Sequence, residues 1–243
     1  MKRPDLPLSP PALVAVFSAA TLILILATMP LGLALAGRGP DAGLSAASAS
    51  GTVWRGELQD AAFGGVRLGN VQMGVSPLSL LTARVRLGFR SEGVRGALRL
   101  GPGRIELLDI DGVLPLGALA PQTGLDARLG LTDFSLDLRR AACQRAGGEV
   151  SLDQIRLSGL ELPGLVLTGA AACAGKDLMV PLRGQAEGVD VQADLRTTPA
   201  GAYEVRLTLR TTRPEVEAAL AAAGYRRTLD GYEAALTGRL ALN

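Results

Sequence analysis

The sequence predicts a mainly β protein, in which an N-terminal transmembrane helix is followed by a meandering, antiparallel, curled β-sheet with one short helix in its C-terminal region. Three observations favour this fold. Residues 12–36 carry no charge. Residues 83–90 and 203–210 alternate apolar and polar side chains, as half-buried strands do. Glycine occurs 31 times, which favours turns over long helices.

The apolar run 12–36 is predicted to be a single transmembrane helix, because about 20 apolar residues span the ~30 Å hydrocarbon core of a bilayer. Lys2 and Arg3 precede the run and favour a cytoplasmic N-terminus at residues 1–11. The alternative is a cleaved signal peptide, since Ala34-Leu35-Ala36 fits a cleavage pattern. The run, however, exceeds the roughly 7–15 residues of a signal core.

The rest of the chain is predicted to lie outside the membrane. Residues 37–50 are small and polar and are expected to form a linker, and residues 51–243 an exported β domain. The predicted strands are 66–75, 83–90, 96–100, 104–110, 125–131, 134–138, 149–157, 165–171, 177–184, 189–197, 203–210 and 231–242. Because one apolar face needs a second layer, the sheet is expected to be a sandwich, a partly closed barrel or a sheet curled over its own apolar face; short connections favour the last.

Three stretches interrupt the strand pattern. Residues 76–81 are interpreted as a helical turn at an edge or end of the sheet, and residues 112–121 as a short helix or a loop. Residues 212–224 form the best soluble helix of the chain, with apolar side chains on one face. Thr212 and Glu215 there have the spacing of a capping box.

The composition argues against an enzyme. The chain contains no histidine, which removes His-dependent catalysis and the usual imidazole metal sites. The net charge of +2 indicates no nucleic-acid partner. Asp109 and Asp111 lack further calcium ligands, and the turn 101–103 lacks the Lys-Ser/Thr of a phosphate loop. We therefore predict no catalytic residues, no cofactor and no metal.

Cys143 and Cys173 are the only cysteines. In an oxidising compartment an even pair indicates one disulfide, and the alternative is two buried thiols.

The candidate interaction residues are one aromatic and a group of arginines. Trp54, the single tryptophan, is either a docking anchor or a core residue at the start of the first strand. The basic stretch either faces anionic lipid headgroups or an acidic partner, or is the solvated face of a sheet. Its arginines are Arg84, Arg86, Arg90, Arg95 and Arg99.

An ordered set of motifs follows the apolar run. It begins with Val53-Trp54-Arg55-Gly56, Gly65-Val66-Arg67-Leu68-Gly69-Asn70-Val71 and Ser76-Pro77-Leu78-Ser79-Leu80-Leu81, and continues with Gly112-Val113-Leu114-Pro115-Leu116, Gly124-Leu125-Asp126-Ala127-Arg128-Leu129 and the C-terminal residues 230–240. Over essentially its full length, the chain resembles the type II secretion system protein N family of Gram-negative bacteria. Gln72-Met73 departs from the family pattern, which has a second tryptophan at this place.

The resemblance implies an accessory, single-pass inner-membrane component with a periplasmic C-terminal domain. Its expected role is a scaffold or interaction role, with other type II secretion components as partners, in the export of folded periplasmic proteins across the outer membrane. It implies no enzymatic activity and no cofactor. A second hypothesis comes from the residues themselves: an exported curled sheet with an apolar concave face is also suited to hold acyl chains, as a lipid-binding groove protein anchored to the inner membrane.

Overall fold

The computed structural model describes residues 14, 17–18, 21, 24–25, 27–36, 44–63, 66–77, 84–115, 125–157, 160–222 and 224–239. These residues form helices α1 (Leu31–Ala36) and α2 (Pro214–Ala222) and seventeen strands. The strands are β1 (Leu44–Ser45), β2 (Ser48–Thr52), β3 (Arg55–Phe63), β4 (Val66–Val75), β5 (Val85–Arg90), β6 (Val94–Gly101), β7 (Arg104–Pro115), β8 (Leu125–Arg139), β9 (Cys143–Leu157), β10 (Leu160–Glu161), β11 (Leu167–Ala170), β12 (Ala172–Ala174), β13 (Asp177–Ala186), β14 (Val189–Thr197), β15 (Ala202–Thr211), β16 (Arg226–Thr228) and β17 (Gly231–Arg239).

The strands make one antiparallel sheet in which chain neighbours pair. β1 and β2 both pair with β3 at one edge, and β3 to β9 follow in chain order. β9 then pairs with β10 and β11, and β11 and β12 with β13. The order continues through β14, β15 and β17 to the short β16. Within the described ranges no pairing joins the two edges, so the predicted antiparallel meander is confirmed and the sheet is open.

One face of the sheet carries the main core. Its buried side chains come from β7 to β17 and α2, and Leu209 and Val180 are only 1% and 2% exposed. Because a single flat sheet leaves an apolar face in water, this burial indicates that the sheet curls over its own apolar face. We call this the inner face and the opposite one the outer face.

Bulges bend the long strands. Asp60, Asp109, Asp133 and Gln154 have φ near +50°, and the pairing register shifts around Asp109 and Asp133. An extra residue on one strand of a pair bends that strand and increases its twist. The predicted break between residues 131 and 134 is therefore a bulge inside the single strand β8.

The prediction of a helix or loop at residues 112–121 is wrong for residues 112–115, which continue β7. Gly112 has a φ of +151° and pairs with Val94 on one side and Leu131 on the other. The glycines and proline that suggested a break are accommodated because Gly112 adopts an extended conformation that other residues rarely adopt. Residues 116–121 lie outside the described residues, as do residues 78–81 of the predicted turn.

The end of the N-terminal apolar run contacts the sheet. The Val53 amide donates a hydrogen bond to the Met29 carbonyl oxygen at 3.1 Å. Leu31 is 5% exposed and packs with Leu58, Ala61 and Val71. Among the residues that the structure describes, no helix is both long and apolar enough to cross a membrane. The segment expected to be a linker contributes β1 and β2 to the sheet edge.

The predicted C-terminal helix is confirmed as α2, which begins at Pro214. The capping-box prediction is wrong, because proline suits the first helical position and starts the helix after Arg213. The Glu215 carboxylate accepts a hydrogen bond from Nε of Arg213 at 2.7 Å instead. Val216 and Leu220 pack into the core of the inner face, so α2 covers one end of this face.

The predicted disulfide between Cys143 and Cys173 is present, with a Cα–Cα distance of 5.6 Å. β11 forms a ladder with β9, whereas the pairs of β12 are with β13. The disulfide, together with a 2.9 Å hydrogen bond from the Cys143 amide to the Lys176 carbonyl oxygen, therefore joins β12 to β9.

Candidate interaction site

A row of small residues crosses the outer face of β4, β5 and β6. Gly74 pairs with Gly88, Gly88 with Ala97, and Ala97 with Leu108 of β7. Residues paired in register project from the same face of a sheet. The row therefore leaves a depression between neighbouring rows of longer side chains. It forms the floor of a groove of about 900 Å³.

The two glycines of this floor have different roles. A β-carbon at Gly74 would collide with the carbonyl oxygen of Trp54, so glycine allows the β2–β3 turn to approach β4 closely. A β-carbon at Gly88 would have the Gly74 carbonyl oxygen as its nearest neighbour, 4.0 Å away. The middle of the floor therefore has room for a larger side chain or for a ligand.

A polar row borders one side of the groove. Gln72 pairs with Arg90, Arg90 with Arg95, and Arg95 with Asp111. Asp111 accepts a 2.9 Å hydrogen bond from the amide of Asp133 and lies 3.4 Å from Nη2 of Arg95. The Asp133 amide, and then the charge of Arg95, lower the pKa of Asp111. Asp111 is thus ionised at neutral pH and holds both the bulge and Arg95 in place.

Arg86 lines the opposite side of the groove, and half-buried Trp54 lines it from the turn between β2 and β3. The acidic residues Glu57 and Asp109 also line the groove. Guanidinium groups donate paired hydrogen bonds to carboxylates, and tryptophan is a frequent anchor at protein interfaces. The groove therefore places arginines beside a tryptophan, which suits a partner segment that carries a carboxylate and an apolar residue, and Glu57, Asp109 and Asp111 make its lining mixed in charge.

The next row of the outer face is neutralised internally. Glu106, 4% exposed, lies 2.5 Å from Nη1 of Arg99 and 2.7 Å from Nη2 of Arg104. Arg104 also contacts both carboxylate oxygens of Asp137, and this hydrogen bonding lowers the pKa of Asp137. This network holds β6, β7 and β8 together, and Arg86 on β5 continues the same row, since it pairs in register with Arg99.

The structure brings together three of the predicted interaction residues and separates the fourth. Trp54, Arg86 and Arg90 line the groove, whereas Arg84 precedes β5 outside it, with its side chain near Gly101. The sequence reasoning missed the floor of Gly74, Gly88 and Ala97. Their alignment depends on the register of three strands, and the local signal for it is a small residue between two arginines at alternating positions, in residues 86–90 and 95–99.

The chain matches the family described as type II secretion system (T2SS), protein N, over residues 42–234. The matched region covers the sheet and α2 and is well over half of the 243 residues. Searches of curated proteins and of solved structures gave no significant match. The family match covers the ordered motifs that suggested the resemblance, except for the end of the last one after residue 234. The chain therefore belongs to the type II secretion system protein N family.

Proposed function

We propose that this protein is an inner-membrane scaffold of the type II secretion system, with a cytoplasmic N-terminus, one membrane span and a periplasmic β domain that docks other secretion components. Family membership implies a role in type II secretion as an accessory component. The scaffold role, the membrane location and the partners are the proposal. The observation that carries the scaffold role is the outer-face groove, which holds Trp54, Arg86 and Arg90 around a floor of small residues.

The contacts of Met29 and Leu31 with the sheet refine the proposed anchor. Because these two residues contact the sheet, we place the proposed span at residues 12–28. Seventeen helical residues extend about 25 Å at about 1.5 Å per residue, close to the ~30 Å hydrocarbon core. The anchor would then join the sheet at the β2–β3 turn, beside Trp54 and the groove.

Reversing the charge of the groove should disrupt docking. We expect Arg86→Glu combined with Arg90→Glu to reduce crosslinking from a photoreactive residue at Gln72 to other secretion components at least tenfold, because arginine is enriched among the hot-spot residues whose loss costs about 2 kcal/mol or more. Gly88→Val should have a similar effect by filling the floor without colliding with the chain. The measurements are crosslinked product and secretion of a reporter in a strain that lacks the chromosomal copy.

The control matched for charge is Arg183→Glu combined with Arg206→Glu, because both arginines are exposed on the outer face, on β13 and β15. It should leave crosslinking and secretion unchanged. Groove variants that are stable in the cell and keep both signals at the level of the unmodified chain would refute the groove as the docking site. Unchanged secretion in the strain without the protein would refute the scaffold role itself.

A second candidate function, lipid binding, is favoured by the inner face. On β7, away from α2, Ile105 is 47% exposed. Ile105 pairs in register with Leu100 of β6 on one side and with Leu138 of β8 on the other. The three adjacent side chains form an apolar row that water reaches, which is the kind of surface that acyl chains cover.

If this row holds lipid, native mass spectrometry of the purified chain should detect bound phospholipid. Ile105→Asp should then lose it, because a carboxylate in the row is costly to bury against an acyl chain. Lipid that surrounds the anchor would also be detected, so a control is needed. Leu229→Asp introduces the same carboxylate at a fully exposed leucine and should keep the bound lipid. Equal lipid counts for the two variants would exclude a lipid site on the inner face.

A further inference from the structure

The two ends of the curled sheet differ in how their inner face is covered. We define the capped end as the end that carries α2, and the open end as the end that carries the turns β2–β3, β6–β7, β8–β9, β12–β13 and β14–β15. At the capped end, Val189, Leu209 and Tyr232 are all buried. At the open end, Ile105 is exposed, and Leu100 and Leu138 are half-buried.

The ends also differ in charge. Among the described residues of these turns and of the β4–β5 connection, which lies at the same end, every charged one is basic: Arg84, Arg140 and Lys176. Among the described residues of the turns and helix of the capped end, Glu92, Glu187, Glu215, Glu217 and Asp230 are acidic and Arg213 is basic, and the short β16 at this end adds Arg226 and Arg227. The sheet is thus polarised along its strands.

Three turns of the open end are joined into one surface. The Arg140 amide donates a hydrogen bond to the Gly103 carbonyl oxygen at 2.8 Å, which connects β8–β9 to β6–β7. The Cys143 amide reaches the Lys176 carbonyl oxygen and connects β8–β9 to β12–β13. Arg139, Arg140 and Lys176 are all exposed, so this surface presents adjacent basic groups next to the apolar row of Ile105.

The open end is also where the N-terminal apolar run meets the domain. Met29 contacts Val53, which lies in the β2–β3 turn of this end. A basic rim in front of exposed apolar side chains fits the headgroups and upper acyl region of an anionic bilayer.

We propose that the open end lies against the anionic surface of the membrane that holds the anchor, with Arg139, Arg140 and Lys176 on the headgroups. This inference rests on the proposed membrane location. It orients the sheet with α2 and the acidic turns directed away from the bilayer.

The test uses the full chain in vesicles of phosphatidylglycerol that carry brominated acyl chains, which quench nearby tryptophan. In a Trp54→Phe background, Pro102→Trp places the probe in an exposed turn of the open end, and Leu229→Trp places it at the capped end. We expect strong quenching of the first probe and none of the second. Arg140→Glu with Lys176→Glu should abolish the quenching at residue 102, because each basic residue near an anionic surface strengthens binding roughly fivefold. Arg67→Glu with Arg226→Glu, which changes the net charge equally, should not.

Vesicle flotation distinguishes a failure of the proposed docking surface from a failure of the proposed membrane location. A chain that floats with the vesicles has retained its anchor. If such a chain shows equal quenching at both probes, the proposed docking surface is wrong. It is also wrong if the Arg140 and Lys176 variants leave the quenching at residue 102 unchanged. A floating chain whose residue 102 stays unquenched and crosslinks to another protein in cells overturns it in favour of a protein partner. A chain that does not float refutes both the membrane location and the docking surface.

Discussion

Replacing Cys143 and Cys173 together with alanine is expected to lower the free energy of unfolding by roughly 3–4 kcal/mol. The disulfide closes a loop across a sequence separation of 30, and in the chain-entropy model a loop of this size restricts the unfolded state by about that amount. The loss should be visible as a lower midpoint of denaturation in urea, with a steeper dependence of the unfolding free energy on urea because the denatured state without the disulfide is less compact.

The structure also predicts which strands the loss of the disulfide should destabilise first. The disulfide joins β12 to β9, where the ladder of β11 with β9 has ended. Amide exchange should therefore increase first in β12 and at Cys143. Reducing the unmodified chain with dithiothreitol is the matched control and should reproduce the stability of the double variant. A double variant as stable as the oxidised chain would show that the disulfide is not a stabilising link.

Replacing Leu209 with alanine is expected to cost about 3 kcal/mol. Leu209 lies on β15, is 1% exposed and belongs to the cluster that contains Val216 and Leu220 of α2. Truncating a buried leucine loses its burial and leaves a cavity, which together cost about 2–5 kcal/mol. Because the inner face has α2 as its cover at this end, loss of Leu209 should also loosen the helix.

Leu229→Ala is the matched control, because it makes the same chemical change at a fully exposed position. It should alter stability by no more than about 0.5 kcal/mol. Equal losses for Leu209→Ala and Leu229→Ala would contradict the placement of the core on the inner face beneath α2.

Much of the sheet was predictable because side-chain alternation is a local property of strands. Val66–Val75 and Val189–Thr197 have the predicted bounds, and the helix near residue 214 was found from its apolar face. The predictions failed where tertiary pairing overrode a local signal. Gly112 continues β7 because two neighbouring strands pair with it, and the small residues of β2 form a strand because the edge of β3 pairs with them.

The candidate site was predictable only in part, for the same reason. Trp54, Arg86 and Arg90 were recognised as residue types suited to an interface. Their assembly into one groove depends on the pairing of Arg90 with Gln72 and Arg95 and on the close approach of the Trp54 turn to Gly74. Cross-strand register is non-local, so a single sequence does not specify which small residues align into a floor.

Periodicity, composition and motif order are read along the chain, and they were enough to predict the strand-rich class, the helix, the cysteine pair and the family. Other features became visible only in the folded chain: the sheet is open, Leu31 packs against it, and one end is capped by α2 while the other presents basic turns. These features arise because antiparallel pairing places every second turn at the same end of the sheet and brings distant residues onto one surface.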